Sequence, residues 1–219
     1  DDATKYPIFV YILHRSYSSF VKMDLQKKRL KNELNRFATK KDLGCSIKPY
    51  LESDLTRLKG LFTGFSESAY ENGTYEVEIN VTKEYPHKAP KARFITKVWH
   101  PNISSVTGCI CLNLLNGDWQ LVDNLATLMG SIKALLICAE PNDPQDAPVA
   151  SQYSNRRDMF DLTASFWNYR YAGGERKDCF NKFEEKVKSV CQKGYTEDQA
   201  IHALSMNDWS CVEAFNSLN

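Results

Sequence analysis

The sequence predicts an α+β fold: an N-terminal helix, a four-stranded antiparallel meander and C-terminal helices, followed by a small three-helix bundle. Two observations carry this prediction. After a basic helical segment, the hydrophobic pattern changes from a period of 3.6 residues to a period of two, and it returns to the helical period at Leu125. The pair Gly173-Gly174 then separates an aromatic helix from a further amphipathic stretch.

Composition limits the classes of function. The 219 residues permit one domain of about 150 residues and a small second one. A net charge of +1 gives no reason to expect nucleic acid as the partner. Seven scattered cysteines lack the even spacing of a disulfide framework, so we expect reduced thiols. The single Cys-x-Cys pair has no second pair to complete four ligands, and no metal is expected.

The first helix is expected between Lys22 and Lys41, where eight basic and two acidic residues accompany apolar residues at helical spacing. This charge fits a solvated helix face or a docking surface, and both readings stay open. Residues 1–21 form an extension without an assigned role. The apolar run at residues 7–13 is too short to span a bilayer, and the chain opens with Asp1-Asp2 instead of a basic region. We therefore expect a location in the cytosol or nucleus and no membrane partner.

The sheet is predicted from four segments. Residues 75–81 alternate apolar and polar side chains, which indicates a half-buried strand. Asn72-Gly73, just before it, predicts a hairpin turn that pairs this strand with residues 58–63. A further strand is expected at residues 91–98 and a weaker one at residues 46–51, which completes the meander.

The helices that follow the sheet are predicted from apolar spacing. Residues 125–139 form a buried helix that Pro141 ends, and an irregular loop with prolines at 141, 144 and 148 leads to a helix containing Phe160 and Trp167. These elements complete a core over residues 22–172. After a linker at 173–178, residues 179–219 are predicted as three short helices, with a capping box at Thr196 to Gln199 and the last helix beginning near Trp209.

The motif with the clearest chemistry is His100-Pro101-Asn102, followed nine residues after Asn102 by Cys111. Cysteine hydrolases need a base that generates thiolate, and here no histidine base lies near the cysteine in sequence. Such a cysteine suits a partner that is already activated, such as a thioester. An isolated cysteine is also often a buried structural thiol. A papain-like protease fits poorly, because its flanking sequence is not recognisable.

Residues 94–112 closely resemble the active-site segment of ubiquitin-conjugating enzymes, and further matches occur at 85–86, 90–91, Trp119 and 140–144. The resemblance covers roughly residues 22 to 172. It implies that Cys111 accepts ubiquitin as a thioester from the activating enzyme, which uses ATP, and transfers it to a lysine amine of a substrate protein without a bound cofactor. It also implies that Asn102 either donates to the oxyanion or pins the loop, and that Asp143 orients the lysine.

The resemblance assigns supporting roles as well. His100 and Pro101 would hold the turn, since proline restricts the residue before it to extended backbone. Docking of the activating enzyme or a ring-type ligase would use five residues, namely Lys28, Arg29, His87, Leu121 and Val122. His87 replaces a phenylalanine common in ligase-dependent members, so ligase binding is expected to be weak or selective. Asn113 replaces a common aspartate, and Cys109 is interpreted as a bystander thiol.

The last 41 residues resemble a ubiquitin-associated domain, in which Gly194, Tyr195 and Leu218 would contact ubiquitin. Lys193 stands where an apolar residue is usual, which removes apolar contact area for ubiquitin. A conjugating domain followed by a ubiquitin-associated domain is typical of the 25-kilodalton (Huntingtin-interacting protein 2) subclass, which builds polyubiquitin chains for protein degradation. Two alternatives stay open: conjugation of another ubiquitin-like modifier, and a non-catalytic ubiquitin-binding adapter.

Overall fold

A computed structural model describes the backbone of residues 6–39 and 44–218, and the side chains of residues 23–39 and 44–218. The first helix, α1, covers Tyr6–Thr39 and therefore includes residues 6–21, to which the sequence assigned no element. Four strands follow: β1 (Cys45–Leu51), β2 (Asp54–Thr63), β3 (Thr74–Asn80) and β4 (Lys91–Phe94). They pair antiparallel in the order β1-β2-β3-β4. The predicted meander is confirmed.

The connection between β2 and β3 differs from the prediction. Residues 64–73 form a loop between these strands instead of a two-residue turn, although Asn72 has the expected positive φ of 58°. The loop is fixed to a later helix, because Asn168 accepts from the Tyr75 hydroxyl at 2.7 Å and donates to the carbonyl of Glu71 at 2.8 Å. A Cβ on Gly73 would lie 1.8 Å from Oδ1 of Asn168, so only glycine permits this approach.

Four helices complete the core: α2 (Asn113–Asn116), α3 (Leu125–Leu135), α4 (Ala147–Asn155) and α5 (Arg157–Ala172). The sequence did not predict α2, and α3 ends before residue 139. The irregular loop was predicted to extend through Pro148, and this was wrong. Pro148 lies in the first turn of α4, where proline is tolerated.

The core lies between the inner face of the sheet and α3. Leu58, Ile79 and Leu128 are fully buried, and burial of one such side chain contributes about 2 kcal/mol. Strand β2 approaches α3 closely, since a Cβ on Gly60 would lie 2.7 Å from the sulfur of Met129. This packing holds β2, an inner strand of the sheet, against α3.

The C-terminal bundle contains α6 (Asn181–Cys191), α7 (Glu197–Met206) and α8 (Cys211–Leu218), after a 3-10 turn at Asp178–Phe180. The capping box at Thr196 is confirmed: its side chain accepts from the Gln199 N–H, and the Gln199 side chain accepts from the Thr196 N–H. The last helix begins two residues after Trp209, which has a φ of 62° and ends the preceding turn.

Helix α5 packs on both parts of the chain. Phe166 makes edge contacts with Phe180, Phe183 and Trp209, whereas Trp167 contacts Trp99 of the core with ring centroids 5.1 Å apart. Because of this shared helix, the bundle lies directly against the core, and the predicted boundary at residues 173–178 stays a prediction. Of the helices in the described part of the chain, none combines the length and hydropathy needed to cross a bilayer.

Candidate active site

Cys111 lies where an irregular ladder joins α2. Ile103 bridges both His100 and Ile110, and the backbone N–H of Cys111 donates to the carbonyl of Asn102 at 2.8 Å. These backbone bonds bring the two halves of the motif together across eight intervening residues. Cys111 itself is only partly buried, in contrast to the structural thiol that was the alternative prediction. Its sulfur is therefore accessible to a partner at the surface.

His100 and Pro101 support the backbone. The ring of His100 is fully buried, and its Nδ1 accepts from the Asn102 N–H at 3.1 Å. Burial lowers the pKa of His100 to about 3, so the imidazole is neutral at physiological pH. The carbonyl of Pro101 accepts from the backbone N–H groups of Gln145 and Asp146 at 2.9 and 3.0 Å. The pair thus anchors the segment that contains the prolines, residues 140–146, hereafter the proline loop.

Asn102 is 1% exposed, and its amide is committed to the proline loop. Nδ2 donates to the carbonyls of Glu140 and Asp143 at 2.9 and 3.0 Å, and Oδ1 accepts from the Glu140 N–H at 2.8 Å. Both amide hydrogens are used in this way. Of the two roles that the sequence left open, the geometry matches loop support.

Asp143 is exposed at the tip of the proline loop, and its Oδ2 lies 3.7 Å from the sulfur of Cys111. Burial raises the pKa of the Cys111 thiol, and the charge and hydrogen bond of Asp143 raise it further. The site is therefore not built to generate a thiolate. It places a carboxylate beside the sulfur.

Sequence reasoning missed Asn116, whose Nδ2 lies 3.9 Å from the sulfur of Cys111 on the other side of the site. It belongs to α2, a helix of four residues, which is too short to produce a periodic pattern. Asn116 also lines a cleft of about 740 Å³ with Lys88, Lys91 and Cys109. Asn113 is exposed at the start of the same helix.

The predicted docking residues divide into two places. Lys28, Arg29 and Val122 line one surface hollow, and Leu121 and Val122 are 54% and 83% exposed beside it. Arg29 is not a free cation: it pairs with Glu33 at 2.8 Å and donates to the carbonyls of Leu121 and Asp123, so it fixes the loop that presents them. His87 is exposed and lines the cleft of Asn116 instead.

In the C-terminal bundle, Lys193 and Gly194 are exposed in the loop between α6 and α7, and Tyr195 is half-buried beside them. Gly194 has a φ of 98°, a conformation that favours glycine. Leu218 is half-buried at the end of α8. The charge of Lys193 therefore faces solvent in the loop that the sequence associates with ubiquitin.

Comparison with known protein families identifies the class of protein to which this fold and site belong. The model of the family described as ubiquitin-conjugating enzyme matches residues 29–168. The chain therefore belongs to the ubiquitin-conjugating enzyme family, whose general chemistry is thioester transfer.

Individual relatives agree with this assignment. The chain is 42% identical over 164 residues to ubiquitin-conjugating enzyme E2 K of Homo sapiens, covering 75% of this chain and 81% of that protein. It is 41% identical over 192 residues to ubiquitin-conjugating enzyme E2-22 kDa of Drosophila melanogaster, covering 87% and 96%. The E2 domain of a Toxoplasma gondii ubiquitin conjugating enzyme superimposes with a TM-score of 0.63 at 36% identity, covering 67% and 99%. The predicted family and enzyme class are confirmed.

Proposed function

We propose that Cys111 is the thioester acceptor for ubiquitin. The observation that carries the proposal is an accessible thiol with a carboxylate 3.7 Å away and a raised pKa. In the first step the Cys111 sulfur attacks the thioester carbonyl of ubiquitin on the activating enzyme. A new carbon–sulfur bond forms, the thiolate of the activating enzyme leaves, and it takes up the proton that Cys111 loses. Because one thioester replaces another, an activated thiol is not needed.

In the second step a lysine amine attacks the thioester on Cys111, an isopeptide bond forms, and Cys111 leaves as the thiol. At pH 7 only about 4 in 10,000 free lysines are neutral, given an ordinary pKa near 10.4. Asp143 supports this step from the proline loop, where its carboxylate attracts and orients the amine beside the sulfur. Asn102 contributes by holding that loop in position beside Cys111.

The C-terminal bundle is proposed to be a ubiquitin-associated domain. Its three helices, and the exposed loop with Lys193 and Gly194, support this assignment, with Tyr195 and Leu218 as further contact residues. Lys193 replaces apolar contact area with a charge, so binding should be weaker than for an apolar loop. The product is proposed to be polyubiquitin chains of the kind that direct proteins to degradation.

Partners follow from the two steps. The proposed partners are ubiquitin, the activating enzyme, a ring-type ligase and protein substrates. Nucleic acid and membranes are not proposed as partners. The surface of Lys28, Leu121 and Val122 is proposed for the activating enzyme and ligase, because exposed apolar side chains there adjoin a basic helix. No bound cofactor is proposed, since ATP is consumed by the activating enzyme. Seven free thiols fit a reducing location, the cytosol or nucleus.

A loading experiment tests the proposal. Purified protein, ubiquitin, activating enzyme and ATP are combined, and products are resolved with and without reductant. Wild type should give an adduct that reductant removes, Cys111→Ser should give a reductant-resistant oxyester or no adduct, and the matched control Cys109→Ser should behave as wild type. Absence of an adduct in wild type would contradict the proposed function.

A further inference from the structure

A chain of hydrogen bonds leads from the C-terminal bundle into the active site. Nε2 of His202, on α7, lies 3.2 Å from Oγ of Ser105. The Ser105 hydroxyl donates to Oδ2 of Asp146 at 2.6 Å, and the Ser105 backbone N–H donates to the same oxygen at 3.0 Å. His202 and Ser105 are 97 residues apart in sequence, so only the packing of the bundle on the core brings them together.

The direction of these bonds follows from proton counting. A serine hydroxyl has one proton, and Ser105 gives it to the carboxylate, so Nε2 of His202 must be the donor in its own contact. Burial lowers the pKa of His202, against the opposing charge of Asp146, and Lys97 lowers it further. The ring is therefore neutral near pH 7 and carries its proton on Nε2. Ser105 and Asp146 are only 4% and 8% exposed. The hydrogen bond between them is strengthened because the local dielectric is low in the protein interior.

The chain ends at two segments that carry the reacting groups. Ser105 belongs to the turn before Cys111, which closes through bonds from Ser104 to Cys109 and from Gly108 to Ser104. Asp146 ends the proline loop three residues after Asp143. The bond between Ser105 and Asp146 thus ties the segment of Cys111 to the loop of Asp143, whose carboxylate lies 3.7 Å from the sulfur.

We infer that His202 is a positioning residue for ubiquitin transfer: by holding Ser105 against Asp146, it sets the position of Asp143 relative to Cys111. In this role the C-terminal bundle assists transfer through its packing on the core, independently of its proposed contact with ubiquitin. This inference rests on the proposed roles of Cys111 and Asp143. The competing interpretation is that His202 only docks the bundle on the core.

A second contact of α7 separates these interpretations. Asp198, four residues before His202, pairs with Lys97 at 2.7 Å and accepts from the Tyr171 hydroxyl at 3.0 Å. It docks the same helix on the core, and its hydrogen bonds go to Lys97 and Tyr171 instead of Ser105 or Asp146. Asp198→Ala is therefore a matched control that weakens docking and leaves the hydrogen-bonded chain in place.

The experiment uses the full chain, loaded with ubiquitin on Cys111 and then mixed with free lysine. His202→Leu should slow discharge about threefold to tenfold, since one net hydrogen bond is lost, while the loading rate stays within about twofold of wild type. His202→Gln, which retains a donor at similar reach, should restore discharge to within about twofold. In a Ser105→Ala background, His202→Leu should have no further effect, and Asp198→Ala alone should discharge at the wild-type rate.

Several results would overturn the inference: wild-type discharge by His202→Leu, equal slowing by Asp198→Ala, no rescue by His202→Gln, or additive effects of Ser105→Ala and His202→Leu. Thermal unfolding is recorded for each variant. Should His202→Leu fail to fold, His202→Asn, whose amide is too short to reach Ser105, replaces it with the same expected slowing. A wild-type protein that does not load would instead contradict the proposed function, so the two failures are distinguishable.

Discussion

The active site combines two groups of residues, an exposed rim and a buried frame, which each include one asparagine but differ in their surroundings. The rim consists of Cys111, Asp143 and Asn116, which are exposed or partly buried. The Asp143 carboxylate and the Asn116 amide lie 3.7 and 3.9 Å from the Cys111 sulfur. The frame, Asn102 with His100, is nearly fully buried and hydrogen-bonded at 2.8 to 3.1 Å. Two asparagines close to Cys111 therefore have different surroundings: the buried amide of Asn102 is committed to the proline loop, and the exposed amide of Asn116 lines the cleft beside the sulfur.

Substitution in the frame should have the largest effect after loss of the nucleophile. Asn102→Ala leaves the Glu140 N–H and two carbonyls without their partner, which should lower the free energy of unfolding by about 1–3 kcal/mol. Displacement of the proline loop should slow discharge about a hundredfold, because a misplacement of about 1 Å at the reacting groups can cost that much, and should slow loading much less. Chemical denaturation and single-turnover assays measure the two quantities.

The control for this prediction is Asn142→Ala, which removes an exposed asparagine from the same loop. It should leave stability and discharge close to wild type. If Asn102→Ala lost discharge at unchanged stability, Asn102 would act on the oxyanion and the distinction between rim and frame would fail at this residue.

Substitution in the rim should change chemistry and leave stability unchanged. Asp143→Asn removes a charge that, together with burial, raises the pKa of the Cys111 thiol. The pKa of the thiol should fall, more thiolate is present at a given pH, and the midpoint of the loading rate should move to lower pH. Discharge to lysine should slow about tenfold or more at every pH, because the amine loses its orienting carboxylate.

Glu140→Gln provides the comparison for Asp143→Asn, since Glu140 is another exposed acid of the proline loop. Its loading profile should overlay that of wild type. A profile that is unchanged in Asp143→Asn as well would refute the electrostatic role of Asp143.

The smallest effect is expected at Asn116. Its amide is exposed and lies 3.9 Å from the sulfur, at the limit of a weak contact. Asn116→Ala should slow discharge by about twofold to threefold, with unfolding unchanged, and Asn113→Ala on the same short helix should have no effect. A loss as large as that of Asn102→Ala would contradict this prediction, because it would show that Asn116 contributes to discharge as much as Asn102 does.

The sequence was sufficient wherever a local pattern carried the information. Alternation predicted β3 and the capping box predicted the start of α7, and both elements are confirmed. The spacing from Asn102 to Cys111 predicted a nucleophile, and that role stays a prediction. What the sequence could not predict depends on short or distant contacts. Helix α2 is too short for periodicity, and Arg29 reads as a free cation until its bonds to the loop of Leu121 are seen.

The contact of His202 with Ser105 is the extreme case of a distant contact. Ser105 lies in the active-site segment and His202 in the C-terminal bundle, and no pattern in either segment points to the other. The pairing arises from the aromatic packing of α5, where Trp167 donates to the Ser205 hydroxyl at 2.8 Å and fixes α7 on the core.

The decisive measurement identifies the residue of this chain that carries ubiquitin. Wild-type protein is loaded, digested under acidic conditions that preserve the thioester, and the modified peptide is sequenced by mass spectrometry. The carboxyl terminus of ubiquitin is expected on Cys111, with Cys109 of the same peptide unmodified. Ubiquitin on Cys109, or on a cysteine outside this segment, would contradict it.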